Sequence, residues 1–509
     1  MTHLRPRYVI TMATLVCVVA LSACTGAKKP GASAPGQVSA GVGAGPGATG
    51  GPSAPGSGGT ATGTAGGTVP GAAGSAGGGT KGGSGSAGGP ASGGAVTNSG
   101  GASSPSVGGG ASPAGPTHST LFTAKEDVTG ISKSEIHLCA HAALTYGKAF
   151  NTDTSDLAVY FTALNKEHGG IFGRKITIDY QNDNYDPATA VQAAESCKSE
   201  NPFMLLGGIG FDQIPSVRNW AEQNHMLYLY HTATQNGAAG KKYSYTELPS
   251  VEKTGEMFAE VAASKFPGKR IGIVERDSEN WSPGVAAFKA EAKKYGVKVT
   301  VDDKVQANAA NYTQQILDLK GHADVAWIWL NALEATEFIK QAHAQQYTVP
   351  FLLFPFNLTS QTLSNEALNP DLVGVAMYPA YSKGDYSGSF ATYADDMKEF
   401  ERQYATYDSK ADLSGNGGDL LFLNWTAMKA LARQLTDCGP NCTRNRFVDV
   451  LNSYHQVPTS SGCTIDFGRG DPYHLGGHAL NVLETYKSPS GKVNWRNINT
   501  CVEHMPGIS

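Results

Sequence analysis

The folded part of the sequence predicts an α/β fold made of two doubly wound parallel sheets in tandem. Three observations support that prediction. Short apolar runs alternate with segments of helical spacing from Ile131 onward. The alternation restarts after the stretch "YSYTELPS", Tyr243–Ser250. At 509 residues, the chain is also too long to fold around one hydrophobic core.

The first unit has the order β-α-β-α-β-α-β, which is typical of a parallel doubly wound sheet. Its second helix begins at Pro187, since proline is favoured in the first turn of a helix. The predicted strands and helices are, in order, "EIHLCAH", "TSDLAVYFTALNKEHGG", "KITIDYQND", "PATAVQAAESCKSE", "FMLLGGIG", "FDQIPSVRNWAEQNH" and "MLYLYH".

The second unit repeats this rhythm, and a tail from Ser382 to Ser509 follows it. In "VAWIWL", Trp327 and Trp329 are two residues apart, so we interpret both as packing residues of a strand. The tail is predicted to hold three helices and then short strands. The second-unit elements are "VEKTGEMFAEVAASKF", "RIGIV", "VAAFKAEAKKYG", "VKVTVDDKV", "NYTQQILDLKGH", "DVAWIWL", "LEATEFIKQAHAQQ", "FLLFPF" and "VGVAMYPAY". The tail elements are "SFATYADDMKEFERQYATY", "DLLFLNWTAMKALARQL", "RNRFVDVLNSY", "CTIDFGRGD" and "ALNVLETY".

The N-terminal residues 1–23 are predicted to be a secretory signal peptide. They have a basic start and an apolar middle that is short for a transmembrane helix. The residues "LSAC" before and at Cys24 resemble the lipobox of bacterial lipoproteins, which implies a lipid on the sulfur of Cys24. The alternative is an ordinary secreted protein cut after Ala23. With the lipid, the protein is extracytoplasmic and anchored to the bilayer at the outer face of the cell membrane.

Residues 24–117 are predicted to be the lipidated cysteine and a disordered tether. The segment consists mostly of Gly, Ala, Ser, Thr and Pro, and it holds about half of the 63 glycines. Such a composition cannot bury enough apolar surface to offset the entropy lost on ordering.

The cysteines agree with export. Cys17 lies in the signal peptide and Cys24 at the lipobox, so six remain for disulfides. Six cysteines allow fifteen pairings. The simplest joins the two ends of "CGPNC", which are Cys438 and Cys442, and pairs Cys139 with Cys197 and Cys463 with Cys501.

Composition and motifs exclude several function classes. The net charge of −4 is mild and the chain shows no basic stripe for nucleic acid. His137, His141 and His231 are scattered without metal-ligand spacing, so no metal is expected. Neither a dinucleotide fingerprint nor a nucleophile motif is present in the folded part, and we expect no cofactor and no catalysis.

Several stretches together resemble a known family. These are "LNKEHGGIFGRKITIDYQNDNYDPATAVQAAESC", "HTATQN" and "DSENWSPG". In order and spacing they resemble bacterial type I periplasmic binding proteins, the leucine/isoleucine/valine-binding group of ABC importers. The resemblance implies two Rossmann-like lobes joined by a three-crossing hinge, closing on a small molecule. It also implies a monomer that delivers this ligand to an ABC permease driven by a separate cytoplasmic ATPase.

The two lobes combine separate parts of the chain. Lobe 1 is expected over residues 131–248 and roughly 378–458. Lobe 2 is expected over residues 249–377 and roughly 459–509.

Ligands of open parallel sheets bind at the carboxyl ends of the strands. There the resemblance places the first-lobe loops that hold a ligand's carboxylate and ammonium, and an aromatic residue of the second lobe. The predicted ligand contacts are Tyr146, Phe211, Asp212, Thr232, Ala233, Thr234, Trp281, Asn331 and Phe356. We expect Trp281 to be exposed in an open form and to stack on the ligand when the lobes close.

The sequence departs from the amino-acid binders of the family. Phe211 stands where they have serine, and no acidic residue lies near Pro355 or Phe356 to receive an ammonium. Unless Asp212 supplies that carboxylate, a free α-amino acid would leave a buried charge unpaired. The aromatic residues favour a flatter or more apolar molecule instead.

Each site residue also has a structural alternative. Trp281 could pack on the core beneath its loop, as most large aromatic residues do. Thr232 and Thr234 could stabilise their own turn, while Phe211 and Asp212 could staple and cap a helix. The alternative function is a surface receptor of the same fold that senses a ligand and signals through a partner protein.

Overall fold

The computed structural model describes residues 119–145, 153–208, 210–230, 234–354, 363, 372–458, 463–469, 474–488 and 491–508. The signal peptide, Cys24 and the tether therefore lie outside the described residues. None of the described helices is long and apolar enough to cross a membrane.

Most of the described strands belong to two sheets. Their bounds are β1 (Glu135–Ala142), β2 (Lys175–Asn182), β3 (Leu205–Leu206), β4 (Tyr228–Tyr230), β5 (Ser244–Thr246), β6 (Arg270–Arg276), β7 (Lys298–Val305), β8 (Val325–Trp329), β9 (Phe351–Leu353), β10 (Leu372–Ala376), β11 (Val457–Pro458), β12 (Thr464–Ile465), β13 (Leu480–Lys487) and β14 (Val493–Val502).

The helices alternate with these strands. Their bounds are α1 (Ala124–Asp127), α2 (Thr154–Leu157), α3 (Val159–His168), α4 (Pro187–Ser199), α5 (Gln213–Gln223), α6 (Gln235–Ala238), α7 (Val251–Lys265), α8 (Ser282–Lys294), α9 (Thr313–Leu319), α10 (Ala332–Ala344), α11 (Ala394–Tyr407), α12 (Gly415–Cys438) and α13 (Arg444–Ser453). Short 3₁₀ helices cover Gly388–Tyr393 and Phe467–Arg469.

Each lobe is built on one sheet. The first sheet has the order β2-β1-β3-β4-β5 and is parallel throughout. The second has the order β14-β13-β10-β9-β8-β6-β7. Its strands from β7 to β10 are parallel, and β13 and β14 extend it antiparallel. The predicted fold class, two Rossmann-like α/β lobes, is confirmed.

Capping residues explain where several helices begin. Pro187 occupies the first turn of α4, and the carboxylate of Asp186 accepts a hydrogen bond from the Thr189 amide at 2.8 Å. The Ser250 hydroxyl caps α7 in the same way, accepting from the Lys253 amide at 3.1 Å. Both starts therefore follow from residue types that the sequence displays.

The first sheet is covered on both faces because side chains alternate along its strands. Leu138 and Leu206 pack with Met428 and Leu431 of helix α12. On the other face, residues of β1, β3 and β4 pack with α4 and α5. Helix α12 thus lies against the first sheet, close to the end where the ligand loops are expected.

The three predicted disulfides are confirmed. Cys139–Cys197 joins β1 to α4 with a Cα–Cα distance of 5.6 Å. Cys438–Cys442 and Cys463–Cys501 each have a Cα–Cα distance of 5.1 Å. The first bridge fixes helix α4 onto strand β1 of the first sheet.

Part of the tail crosses between the two lobes. Ile465 and Phe467 pack in the core of the first sheet, whereas β13 and β14 belong to the second. The predicted lobe boundary near residue 459 falls just before this segment, and the boundaries remain a prediction.

Candidate functional site

An aromatic contact joins the two lobes at the carboxyl ends of their strands. Phe211 follows β3 of the first sheet, and Trp281 follows β6 of the second. Their ring centroids lie 4.6 Å apart at an interplanar angle of 66°, an edge-to-face arrangement. Trp329, at the end of β8, donates its indole N–H to the carbonyl oxygen of Trp281 at 2.9 Å. The loop after β6 is therefore held by contacts to both lobes.

The ring of Phe211 lies among aromatic residues of the second lobe. Its centroid is 6.0 Å from that of Trp329 and 5.8 Å from that of Phe354. Phe211 is 7% exposed and Trp281 is 2% exposed. In this structure, the two rings predicted to contact a ligand contact each other. That burial agrees with the packing alternative for Trp281, and its ligand role remains a prediction.

Charged groups bridge the lobes beside these rings. The Arg276 Nε atom lies 3.3 Å from a carboxylate oxygen of Asp212, and the same guanidinium bonds to Glu334. The Ser278 hydroxyl donates to the other oxygen of Asp212 at 3.1 Å. Asp212 directly precedes the first residue of helix α5, but its side chain does not cap that helix. Its carboxylate instead pairs with the second lobe, which holds the two loops together.

Asn331 and Thr234 act as helix caps in this structure. The Asn331 side chain accepts a hydrogen bond from the Glu334 amide at 2.9 Å, and Glu334 in turn accepts from the Asn331 amide at 3.1 Å. Since Glu334 also binds Arg276, Asn331 belongs to the network that reaches Asp212. The Thr234 hydroxyl accepts from the Gly237 amide at 3.0 Å, capping α6.

The other predicted contacts, Tyr146, Thr232, Ala233 and Phe356, lie outside the described residues. The structure thus brings together Phe211, Asp212, Trp281 and, through Glu334, Asn331. The ligand roles assigned to all nine residues remain predictions.

A cavity lies at the carboxyl edge of the first sheet, next to this contact. Its volume is about 700 Å³, including its open part. Gly208 lines it three residues before Phe211, and helix α12 closes it with residues such as Leu421 and Met428. Gly207 is required there because a Cβ atom would lie 2.6 Å from the Tyr230 Cβ. The lining is predominantly apolar, which is typical of small-molecule sites.

Three buried polar side chains, Asp183, His141 and Tyr228, are linked by hydrogen bonds beside this cavity. The His141 Nδ1 atom lies 2.7 Å from a carboxylate oxygen of Asp183, and Nε2 lies 2.7 Å from the hydroxyl of Tyr228. His141 and Asp183 are fully buried. Burial raises the pKa of Tyr228 well above its usual value, so its hydroxyl keeps its proton within hydrogen-bond distance of Nε2. These two contacts fix the orientation of the His141 side chain, and His141 is one of the residues along the cavity.

Neither the hydrogen-bonded group of Asp183, His141 and Tyr228 nor the packing of helix α12 along the cavity was predicted from the sequence. His141 and Asp183 lie on neighbouring parallel strands or just beyond them, since His141 pairs with Gln181 in the β1–β2 ladder. Only a prediction of strand register could have placed the two side chains together.

The described residues contain no group of three or more His, Cys, Asp or Glu side chains that could hold a metal ion. The arrangement places two aromatic rings, a bridging ion pair and a largely apolar cavity near the carboxyl ends of the strands.

Two α/β lobes that contact each other through residues at the carboxyl ends of their strands are typical of two-lobed ligand-binding proteins. A family model described as "Periplasmic binding protein" matches residues 155–488, more than half of the chain. The chain therefore belongs to the periplasmic binding protein family, as its sequence motifs predict. No curated protein sequence matches this chain.

Solved structures share the fold. A fatty acid ABC transporter substrate-binding protein from Thermomonospora curvata is 17% identical, with a TM-score of 0.60, and covers 74% of this chain and 94% of its own. A solute-binding protein from Rhodopseudomonas palustris BisB5, in complex with 3,4-dihydroxybenzoic acid, is 14% identical at a TM-score of 0.60 and covers 74% of this chain and 99% of its own. A leucine-binding protein from Thermotoga maritima is 15% identical at a TM-score of 0.57 and covers 71% of this chain and 97% of its own.

Proposed function

We propose that this protein is the extracytoplasmic substrate-binding subunit of an ABC importer and captures a small molecule between its two lobes. The observation that carries the proposal is the meeting of Phe211 and Asp212 with Trp281 and Arg276. Loops from both sheets converge there beside a largely apolar cavity. Family membership supports the same role.

The ligand is proposed to be an amino-acid-like, amide or aromatic and apolar solute. Its contacts are proposed to be Tyr146, Phe211, Asp212, Thr232, Ala233, Thr234, Trp281, Asn331 and Phe356. Solved proteins of the same fold include a leucine-binding protein and a solute-binding protein in complex with 3,4-dihydroxybenzoic acid. The apolar lining of the cavity favours the aromatic and apolar end of that range.

Ligand access at Trp281 requires the lobes to separate, because Phe211 covers that ring in this structure. A ligand then stabilises the closed form only by the difference between its affinities for the closed and the open form. The lobe-bridging pair of Asp212 and Arg276 contributes to the same equilibrium.

The N-terminal segment is proposed to anchor the protein. Lipid on Cys24 would hold it at the outer face of the cell membrane, and residues 25–117 would act as a tether. The proposed partners are a membrane permease and a separate cytoplasmic ATPase, and the protein itself catalyses no reaction. The alternative is a sensor that signals through a partner protein, and permease and ATPase genes beside its own would favour import.

A thermal-shift screen of the secreted chain tests the proposal. The compounds are amino acids, amides, aromatic acids, urea-like solutes and short to medium alkanoates. A ligand at about 100 times its dissociation constant should stabilise the protein by roughly 2.7 kcal/mol. If no compound raises the unfolding temperature of well-folded protein, solute binding at this site is contradicted.

A further inference from the structure

Three cavities that share wall residues lie along helix α12, and a fourth, lined by Lys429 and Arg433, borders the third at Ala430 and Ile465. The first shares Leu206, Gly207 and Met428 with the second. The second shares Glu247 and Ala427 with the third. Because neighbouring cavities have wall residues in common, they are separated by single side chains rather than by a layer of structure.

Helix α12 supplies one wall of all three cavities. Leu420 lines the first cavity and Leu431 lines the second. At 1.5 Å of rise per residue, the eleven steps between these two residues span about 16 Å. The third cavity lies beside the same stretch of the helix, against Leu423 and Ala430, and reaches Cys463. The combined space is therefore much longer than a leucine or a benzoate.

The described walls are mostly apolar, with polar residues such as Asn424, Thr426 and Thr464 among them. Glu247 is the only Asp, Glu, Lys or Arg side chain among the described residues that line the three cavities. It is 8% exposed and accepts a hydrogen bond from Gln434. A ligand with charges at both ends would have to bury one of them in this apolar space, which is strongly unfavourable.

We propose that this passage along α12 binds the chain of an elongated, mostly apolar solute. The inference rests on the proposed solute-binding function and narrows its ligand class. The polar end of the solute lies in the first cavity, beside the inter-lobe contact, and the chain extends past Met428 and Ala427. Met428 has no branch at Cβ, so it adapts its shape to a chain more readily than a β-branched residue would.

The experiment titrates lipid-stripped, secreted protein with butanoate, hexanoate, octanoate, decanoate, L-leucine and benzoate by calorimetry. Affinity should rise roughly fourfold for each added methylene as the chain enters apolar space. Decanoate should bind far more tightly than L-leucine or benzoate. This chain-length series needs no variant, so it stays informative even if a substitution prevents folding.

Two variants test where the alkyl chain of the solute binds. Ala427→Phe places a ring at the wall shared by the second and third cavities, and should weaken decanoate at least tenfold while changing hexanoate little. Thr436→Phe adds the same ring to an exposed position of the same helix and should change neither.

Two results would overturn the inference. If L-leucine or benzoate binds but affinity does not grow with chain length, the passage is not a binding site, while the proposed function stands. If none of these solutes binds, nor any compound of the wider thermal-shift screen, both the passage and the proposed function fail.

Discussion

The ring of Phe211 contacts the ring of Trp281 at 4.6 Å, although the two residues follow strands of different sheets. This contact closes the two lobes on each other at the position where the family's motifs place a ligand. The Asp212–Arg276 pair lies directly beside it. Under the proposed function, both contacts change when a solute enters or leaves, so they are the first targets for substitution.

Phe211→Ala is expected to shift the ligand-free protein towards an open form. The change removes a ring that contacts Trp281, Trp329 and Phe354, and losing such a buried ring costs about 3–5 kcal/mol. Small-angle X-ray scattering should then give a larger radius of gyration than for the wild type. Phe172→Ala is the control, since Phe172 is 47% exposed. An unchanged radius for Phe211→Ala would show that this ring does not hold the lobes together.

Arg276→Ala is expected to destabilise the protein by about 3–5 kcal/mol, since it leaves the buried carboxylate of Glu334 without its cation. Asp212→Asn should have a smaller effect, because Arg276 keeps its contact with Glu334. Urea unfolding of both variants measures the difference. Equal losses for the two variants would contradict the assignment of Glu334 as the main partner.

Stability is expected to fall as the pH rises from about 5 to 7. Burial raises the pKa of Glu247 from 4.5 to about 7, so the folded protein holds this proton more tightly than the unfolded chain. The contribution of Glu247 to the free energy of unfolding is complete below about pH 4.5. It is lost as the pH rises to about 7, a change of roughly 3 kcal/mol. Burial likewise raises the pKa of Asp419 to about 8, which extends the decline upward.

Glu247→Gln should reduce this pH dependence, because an amide does not titrate, while Asp419 still does. The free energy of unfolding is measured at pH 5 and pH 8 for the wild type, Glu247→Gln and the exposed control Glu279→Gln. A variant with the same pH dependence as the wild type would show that Glu247 does not titrate in this range.

The disulfides are expected to differ in their effect on stability. Cys139–Cys197 spans 58 residues, and the chain-entropy model gives it about 4 kcal/mol. Cys438–Cys442 spans 4 residues, for which the same model gives about 2 kcal/mol. Double Cys→Ala variants, compared by denaturant unfolding, check this order. The opposite order would mean that native packing outweighs chain entropy at these bridges.

Much of the fold could be predicted because it depends on local pattern. Apolar runs followed by helical spacing placed the long strands and helices, and Pro187 marked the start of α4. Strand β5 was missed because it is three residues long, and its Ser244 and Thr246 are buried despite being polar. Strand β14 was missed because "VNWRNINTCV" lacks a continuous apolar run.

The candidate site was harder to predict because it depends on how distant segments meet. The sequence placed Phe211 and Trp281 on facing loops, but not in contact. The bond of His141 to Asp183 requires the register of β1 and β2, and the cavities require the position of helix α12. These are properties of tertiary packing, which periodicity along one segment does not contain.

The most direct test compares the affinities of wild-type protein and Trp281→Ala for a solute found in the thermal-shift screen. Because Trp281 is 2% exposed, the variant should also lose about 3 kcal/mol of stability or more, so binding is measured well below its unfolding temperature. Binding at least tenfold weaker in Trp281→Ala is the predicted result. Unchanged affinity in a folded variant would contradict a solute site between the two lobes.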